Sequence, residues 1–241
     1  MKLSEIIKRT FITRKCIICG ELISYDEKEP FCEKCSELWE SQVNIKCKRC
    51  SYDREYCMCL PDKVKSISHG VAVWSAFYDS SSENQMNNIV YTIKRQGYRD
   101  SIDFCAGEIK KRLLYICNLH NINISEYEIT YPSRKRSGIS KYGFDHVKRL
   151  ANALSAKLGI KSVRLFANCG KDDQKELNKR ERLKNAQKSY KIINAQYVSG
   201  KKFFLVDDVM TTGATLYACA NLLYENGAAD VIPVTYAKDN F

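Results

Sequence analysis

FFLVDDVMTTGAT, residues 203–215, runs from an uninterrupted apolar tetrad into two acids and then into a threonine- and glycine-rich turn. Four apolar residues in a row (203–206) suit a strand covered on both faces. Beyond the turn, Leu216, Cys219 or Ala220, and Leu223 recur at helical spacing, and Gly227 ends that helix. DVIPVTYA (230–237) supplies the next strand. Strand, turn, helix and strand in this order make a parallel pair with the helix laid across one face. The turn then falls at the carboxyl end of its strand, where open parallel sheets take their ligands. Free backbone N–H groups and the positive end of the helix dipole favour a phosphate there. Gly213 lets the backbone approach closely, and Thr211, Thr212 and Thr215 add hydroxyl donors. Asp207 and Asp208 would repel a bare phosphate, so they address another part of the ligand. The vicinal hydroxyls of a ribose, which donate to carboxylates, are the natural candidate. The plainer alternative is a β–α turn in which Asp208 and Thr211 serve only as caps.

The alternation continues upstream. VAVWSAFY (71–78) is β-branched and aromatic and reads as a strand. A helix is expected over 83–94, ended by Gly97. Ile102, Cys105, Ile109, Leu113 and Ile116 place a second helix over 103–117. EYEITY (126–131) is a short strand stopped by Pro132. Phe144, Val147, Ala151, Leu154 and Leu158 mark another helix, ended by Gly159, and SVRLFA (162–167) reads as a strand. The charged stretch 172–188 is expected to be a surface helix or a mobile flap. The fold class is therefore α/β, with a mostly parallel sheet and a small cysteine-rich module before it. The division falls at 1–65 and 66–241.

That module holds eight of the twelve cysteines. Cys16 and Cys19, Cys32 and Cys35, and Cys47 and Cys50 are C-x-x-C pairs, followed by Cys57-x-Cys59. Pairs at this spacing chelate a tetrahedral ion from a tight turn, and four thiolates select zinc. Read in order they make two zinc sites, Cys16/Cys19/Cys32/Cys35 and Cys47/Cys50/Cys57/Cys59; interleaved connectivity, redox pairs and an iron–sulfur cluster are the alternatives. Cys105, Cys117, Cys169 and Cys219 are scattered singly, as small buried hydrophobes are.

The 241 residues carry a formal charge of +11. Its placement matters more: residues 134–202 hold 19 Lys/Arg against 5 Asp/Glu, and the rest of the chain is slightly acidic. A polyanion partner is expected for this stretch, with Tyr131, Tyr142, Phe144 and Tyr190 as stacking surfaces for single-stranded nucleic acid. Long solvated Lys-rich helices are the plainer explanation. No apolar run approaches the roughly 20 residues of a membrane span, and no signal-peptide h-region opens the chain. A cytoplasmic location is the expectation.

The thirteen residues of 203–215 match, position for position, the 5-phosphoribosyl-1-pyrophosphate (PRPP) fingerprint of type I phosphoribosyltransferases. With the cysteine pairs ahead of it, the chain resembles the ComF family of competence and DNA-utilisation proteins from Cys16 to about Tyr236. Further blocks carry the likeness: Ala76-Phe77-Tyr78 with Ile93-Lys94, Tyr131-Pro132 with Gly143-Phe144-Asp145-His146, and Gln174, Leu177, Arg182, Asn185 and Tyr190. The resemblance implies Asp207 and Asp208 on the ribose, and Thr211, Thr212, Gly213, Ala214 and Thr215 around the 5′-phosphate, with Mg²⁺ accompanying PRPP. It also implies two structural zinc ions, single-stranded DNA as a partner, and a DNA-uptake helicase or other competence protein nearby. Tyr142, Asp145, His146 and Thr130 depart from the family's Arg, Asn, Gln and Pro, near the loop that helps to bind pyrophosphate. Arg134, Lys135, Arg136 and Lys141, with Arg182 in the flap, are candidates to supply that charge. Lys179, Arg180 and Lys184 are candidates for DNA. His146 is weighed as a catalytic group against a helix-face residue that simply replaces Gln. True transfer of the phosphoribosyl group to an acceptor and a PRPP-sensing role without chemistry stand as alternative functions.

Overall fold

The computed structural model describes residues 14–79, 85–170 and 189–240. Within these the chain begins with a short antiparallel pair, β1 (Arg14–Lys15) and β2 (Leu22–Ile23), followed by α1 (Glu33–Val43) and the six-residue α2 (Asp62–Ile67). Then come β3 (Val73–Tyr78), α3 (Asn87–Tyr91), α4 (Arg99–Leu119), β4 (Tyr127–Thr130), α5 (Arg136–Tyr142) and α6 (His146–Leu158). β5 (Phe166–Asn168), β6 (Tyr190–Ile192), β7 (Lys202–Met210), α7 (Ala214–Glu225) and β8 (Asp230–Asp239) complete it. The central sheet has the order β3-β8-β7-β4, and each neighbouring pair is parallel.

Alternate residues of β7 point to opposite faces of this sheet, as the strand's period of two requires. Phe204 and Val206 join Ile109, Leu113, Leu150 and Leu154 of α4 and α6 in one core. Phe203 and Leu205 join Leu216, Cys219, Ala220 and Leu223 of α7 in the other. All four of these strand residues are fully buried, as the continuous apolar run demands. Tyr127 stacks on Phe204 at 4.4 Å and pins the β4 edge to β7. The lone cysteines Cys105, Cys117 and Cys219 are buried packing residues, whereas Cys169 is exposed.

Some elements differ from the sequence reading. Of the helix expected over 83–94, residues 83 and 84 lie outside the described residues, and the rest holds the short α3 followed by a π-helical turn, Thr92–Gln96, which Gly97 closes in the left-handed conformation (φ 62°). The strand expected over 162–167 does not extend the parallel sheet. Ser162 makes only an isolated bridge to Ile129, and Phe166–Asn168 turns away to pair antiparallel with β6. α5 was not foreseen, because Arg136–Tyr142 is polar and carries no helical apolar stripe. The apolar tetrad of 203–206 is the centre of a longer strand that carries both acids within it.

The cysteine module lies directly on this sheet. Phe31 and Trp39 pack around Phe104 of α4, at 4.8 and 5.1 Å between ring centroids. Gln42 Nε2 donates to the Phe77 carbonyl of β3 (3.3 Å). No helix among the described residues is long and apolar enough to cross a membrane.

Candidate functional site

A cleft of about 480 Å³ opens at the carboxyl ends of β7 and β4. Asp207, Asp208, Thr211 and Thr215 form one wall, and Ser133, Lys135 and Gly138 face them from the segment after β4. Lys94, His146 and Tyr190 close the sides. The turn after β7 thus occupies the place its sequence pattern required. Gly213 is its left-handed residue (φ 70°) and precedes the first residue of α7. Thr212 Oγ1 accepts a long bond from the Ala214 N–H (3.4 Å).

The two acids are not equivalent. Asp208 is buried, and burial alone would hold it neutral. Lys94 Nζ at 3.3 Å from Oδ1 and His146 Nε2 at 2.6 Å from Oδ2 outweigh the burial, so its pKa lies well below the usual carboxylate range. Asp207 is partly exposed to the cleft, yet desolvation at the strand end and the charge of Asp208 push it up to about 8. Its Oδ1 accepts the Asp208 backbone N–H (2.9 Å). The two carboxyls are therefore driven in opposite directions, Asp208 down and Asp207 up. The Asp208 charge also raises Lys94 against the opposing effect of burial.

Two of these partners were not legible as such. Lys94 lies in the π-helical turn after α3, and no local pattern points it at Asp208. The sequence offers His146 as a catalytic group or as a helix-face residue in place of Gln. It is instead buried in the first turn of α6, where its ring supports Asp208, while its Nδ1 is buried without a hydrogen-bond partner among the described residues. Asp145 is the N-cap of α6: Oδ1 accepts the Lys148 N–H (3.1 Å) and Oδ2 the Arg134 N–H (2.9 Å). This ties the segment after β4 to the helix that carries His146.

The pyrophosphate candidates separate. Lys135 lines the cleft. Arg134 borders it, but its guanidinium donates to the carbonyls of Lys94 and Phe144 and stacks over Tyr142 (4.4 Å), which makes it a brace. Arg136 lines an adjoining cavity of about 490 Å³, with Arg134, Lys135, Arg164 and Asn168. Lys141 lies over Tyr142 (5.3 Å) and is not among the residues lining either space. Arg182 and the DNA candidates Lys179, Arg180 and Lys184 lie outside the described residues.

The cysteines gather as two groups, Cys16/Cys19/Cys32/Cys35 and Cys47/Cys50/Cys57/Cys59, and in each the four sulfurs lie within 4.8 Å of one another. A tetrahedral ion with metal–sulfur bonds of about 2.3 Å needs sulfurs about 3.8 Å apart; Cys19 and Cys32 stand at 3.7 Å. The two knuckles share one turn. The Gly20 and Ser51 N–H groups donate to the carbonyls of Cys16 and Cys47 (2.9 and 2.8 Å), and both residues have positive φ. Burial opposes ionisation of Cys16 and Cys47, but backbone N–H groups of the turn, Cys19 and Cys50 foremost, bring both thiols down to about 7. The donor set and the spacing of its sulfurs fit a thiolate-bound metal ion at each group.

Comparison with curated proteins gives no match. Among solved structures, the chain resembles adenine phosphoribosyltransferase from Thermoanaerobacter pseudethanolicus at 14% identity and TM-score 0.37, over 73% of this chain and 98% of that one. Phosphoribosylpyrophosphate synthetase from Mycobacterium smegmatis is 23% identical at TM-score 0.34, over 54% of this chain, which spans only 33% of the synthetase. A hypoxanthine phosphoribosyltransferase from Staphylococcus aureus is 14% identical at TM-score 0.35, over 56% of this chain and 64% of that one. The family model of the phosphoribosyl transferase domain matches residues 138–240, a span that takes in α6, the two acids and the turn at Gly213. The C-terminal part of this chain thus matches the phosphoribosyl transferase domain and carries the mostly parallel central sheet.

Proposed function

We propose that the chain binds PRPP with Mg²⁺ in the cleft between Asp207 and Lys135, and that it acts as a ComF-like protein in the cytoplasmic handling of single-stranded DNA. In this reading residues 1–65 are a double zinc-ribbon module and 66–241 the ligand domain. The observation that carries PRPP is the placement of two adjacent carboxylates and a Thr/Gly turn at a helix N-terminus along one cleft. Asp207 and Asp208 take the ribose hydroxyls, and residues 211–215 take the 5′-phosphate through backbone N–H and hydroxyl donors. Mg²⁺ would accompany the ligand, and Lys94 and Lys135 are the lysines that line the cleft.

The test is thermal. Ligand at about a hundred times its dissociation constant stabilises the folded state by about 2.7 kcal/mol. For a chain of this length that is a rise of about 5–10 °C in Tm. PRPP with Mg²⁺ should give such a rise, and ribose 5-phosphate a smaller one. No shift with either at millimolar ligand would remove the assignment.

The DNA part rests on the charge of residues 134–202 and on the family resemblance. Affinity for a single-stranded oligonucleotide should fall steeply with salt, as bound cations release counterions. Charge reversal at Lys179, Arg180 and Lys184 should weaken binding and flatten the log–log salt slope by about 2. Reversals at Lys28, Lys34 and Lys65, outside the basic stretch, should leave the slope in place. Binding that ignores the central reversals would give that face another purpose.

One observation favours true transfer as a second reading. The cavity beside the cleft is lined by Arg134, Lys135, Arg136 and Arg164, with no acid among its described lining residues. It offers room and charge for a departing pyrophosphate or an acceptor. In that reaction the bond from ribose C1 to the pyrophosphate oxygen breaks, and the acceptor's nucleophilic atom takes its place. Release of pyrophosphate on incubation with PRPP, Mg²⁺ and an acceptor separates this reading from ligand binding alone.

A further inference from the structure

The turn at Gly213 is propped from outside the sheet by the segment that leaves the second cysteine group. A Cβ added at Gly213 would lie 2.3 Å from Val64 Cγ2 and 3.7 Å from Pro61 Cβ. No side chain fits there, so Gly213 is required by this contact as well as by its positive φ. Val64 is completely buried in α2, and its N–H donates to the Pro61 carbonyl (2.8 Å). α2 is held on α7: Val64 and Ile67 share a core with Leu216 and Leu223, and the Tyr224 hydroxyl donates to the Ile67 carbonyl (2.9 Å).

Only Leu60 stands between Cys59 and Pro61. Residues 44–61, all described, contain no helix or strand. They are tied by the gathering of four sulfurs, by Arg54 and Arg112, which join them to β3 and α4, and by anchors at the end of β8. Lys238, fully buried, donates to the Cys59 carbonyl (2.9 Å) between the faces of Trp74 and Phe77. The Asn240 side chain accepts the Lys48 N–H (2.9 Å) and donates to the Lys46 carbonyl (3.2 Å). Packed apolar contacts of this kind settle into discrete arrangements and transmit displacement over short distances.

We infer that Val64 is a positioning residue for the phosphate turn, held in place by the metal site of Cys47, Cys50, Cys57 and Cys59, so that occupancy of this site governs the turn and its affinity for a phosphorylated ligand. The ligand half of this statement rests on the proposed PRPP reading; the prop itself does not.

The experiment therefore has two readouts on the full chain. Without ligand, hydrogen exchange is followed in the peptide covering residues 210–217. Val64→Ala, which keeps all eight thiols, and the pair Cys47→Ser with Cys50→Ser should each speed exchange there at least tenfold. Cys16→Ser with Cys19→Ser should instead act on β1 and α1. PRPP–Mg²⁺ affinity, measured by calorimetry, should fall about tenfold in Val64→Ala. Turn exchange unchanged in Val64→Ala overturns the inference, even where the cysteine variant fails to fold. An equal effect from the Cys16 and Cys19 replacements overturns the assignment to the second site. A wild-type protein that binds no PRPP sinks the ligand reading, while the exchange data still decide whether Val64 props the turn.

Discussion

Asp207→Asn is expected to raise the thermal stability of the ligand-free protein while abolishing its stabilisation by PRPP. The sign follows from the direction of the shift. Asp207 is pushed up to about 8, above its unfolded value near 4. Between those limits the unfolded chain gives up a proton that the folded protein keeps, so the wild type loses stability as pH rises from about 4 to about 8. Each pH unit inside that window is worth at most about 1.4 kcal/mol, and less here because the group is partly exposed to the cleft. Asp208 adds no slope there: its pKa is depressed, so its contribution is gained below about pH 4 and is complete above it. The advantage of Asn should therefore vanish near pH 4 and grow to a few degrees in Tm at pH 8. The PRPP shift should disappear, because the amide presents one acceptor where the ribose hydroxyls need two. Calorimetric melts across this range, with and without PRPP and Mg²⁺, measure both effects. A variant that melts below the wild type at pH 8 would show that Asp207 is already compensated in the empty cleft, and a retained PRPP shift would take the ribose away from it.

The contrast between Asp207 and Asp208 marks what a sequence can and cannot say about this site. The turn was legible because its parts are contiguous: apolar strand, acids, threonines and Gly213 follow one another within thirteen residues. The cysteine groups were legible for the same reason, since their pairs have fixed short spacing and fall into the order read from them. What sets the charge of Asp208 comes from elsewhere in the chain. His146 is 62 residues away in sequence, and Lys94 reaches the site from a π-helical turn that no apolar period announces. The strand at 162–167 failed in a related way. Its alternation suits a strand, but whether it joins the parallel sheet or turns back onto β6 depends on where β6 is placed. Local pattern fixes element type; tertiary contact decides partners and protonation. Val64 shows the limit most sharply. It is an ordinary apolar residue in a six-residue helix, and only the position of Gly213 gives it a role.

Metal removal is expected to have the largest effect on the N-terminal module, and to proceed in two steps. Elemental analysis should find two zinc ions per chain, because each group offers four sulfurs and thiolates of this number and geometry select zinc. Iron, or no metal with quantitative disulfides, would overturn that identity. The groups differ in shielding. Cys19 is exposed, whereas no sulfur-bearing residue of the second group is, and Cys47 and Cys57 are 1% accessible. A chelator should therefore reach the first site first. The chain carries its own reporters, since it has two tryptophans. Trp39 packs against Phe31 and Phe104 beside the first group, and Trp74 lies 5.4 Å from Lys238 beside the second. Fluorescence of Trp74→Phe, which keeps Trp39, should change in the fast phase, and that of Trp39→Phe in the slow phase. Lys238→Met should accelerate the slow phase alone. It removes the donor to the Cys59 carbonyl and a positive charge that favours the Cys57 thiolate against burial, and loss of such an outer contact weakens a metal site about 10–100-fold. Metal affinity must rise with pH, as thiols release protons on binding, so both phases should quicken as the solution is made more acidic. Release in a single phase seen equally by both tryptophans would mean that the two knuckles unfold as one unit, and the shielding of Cys47 and Cys57 would then have no kinetic consequence.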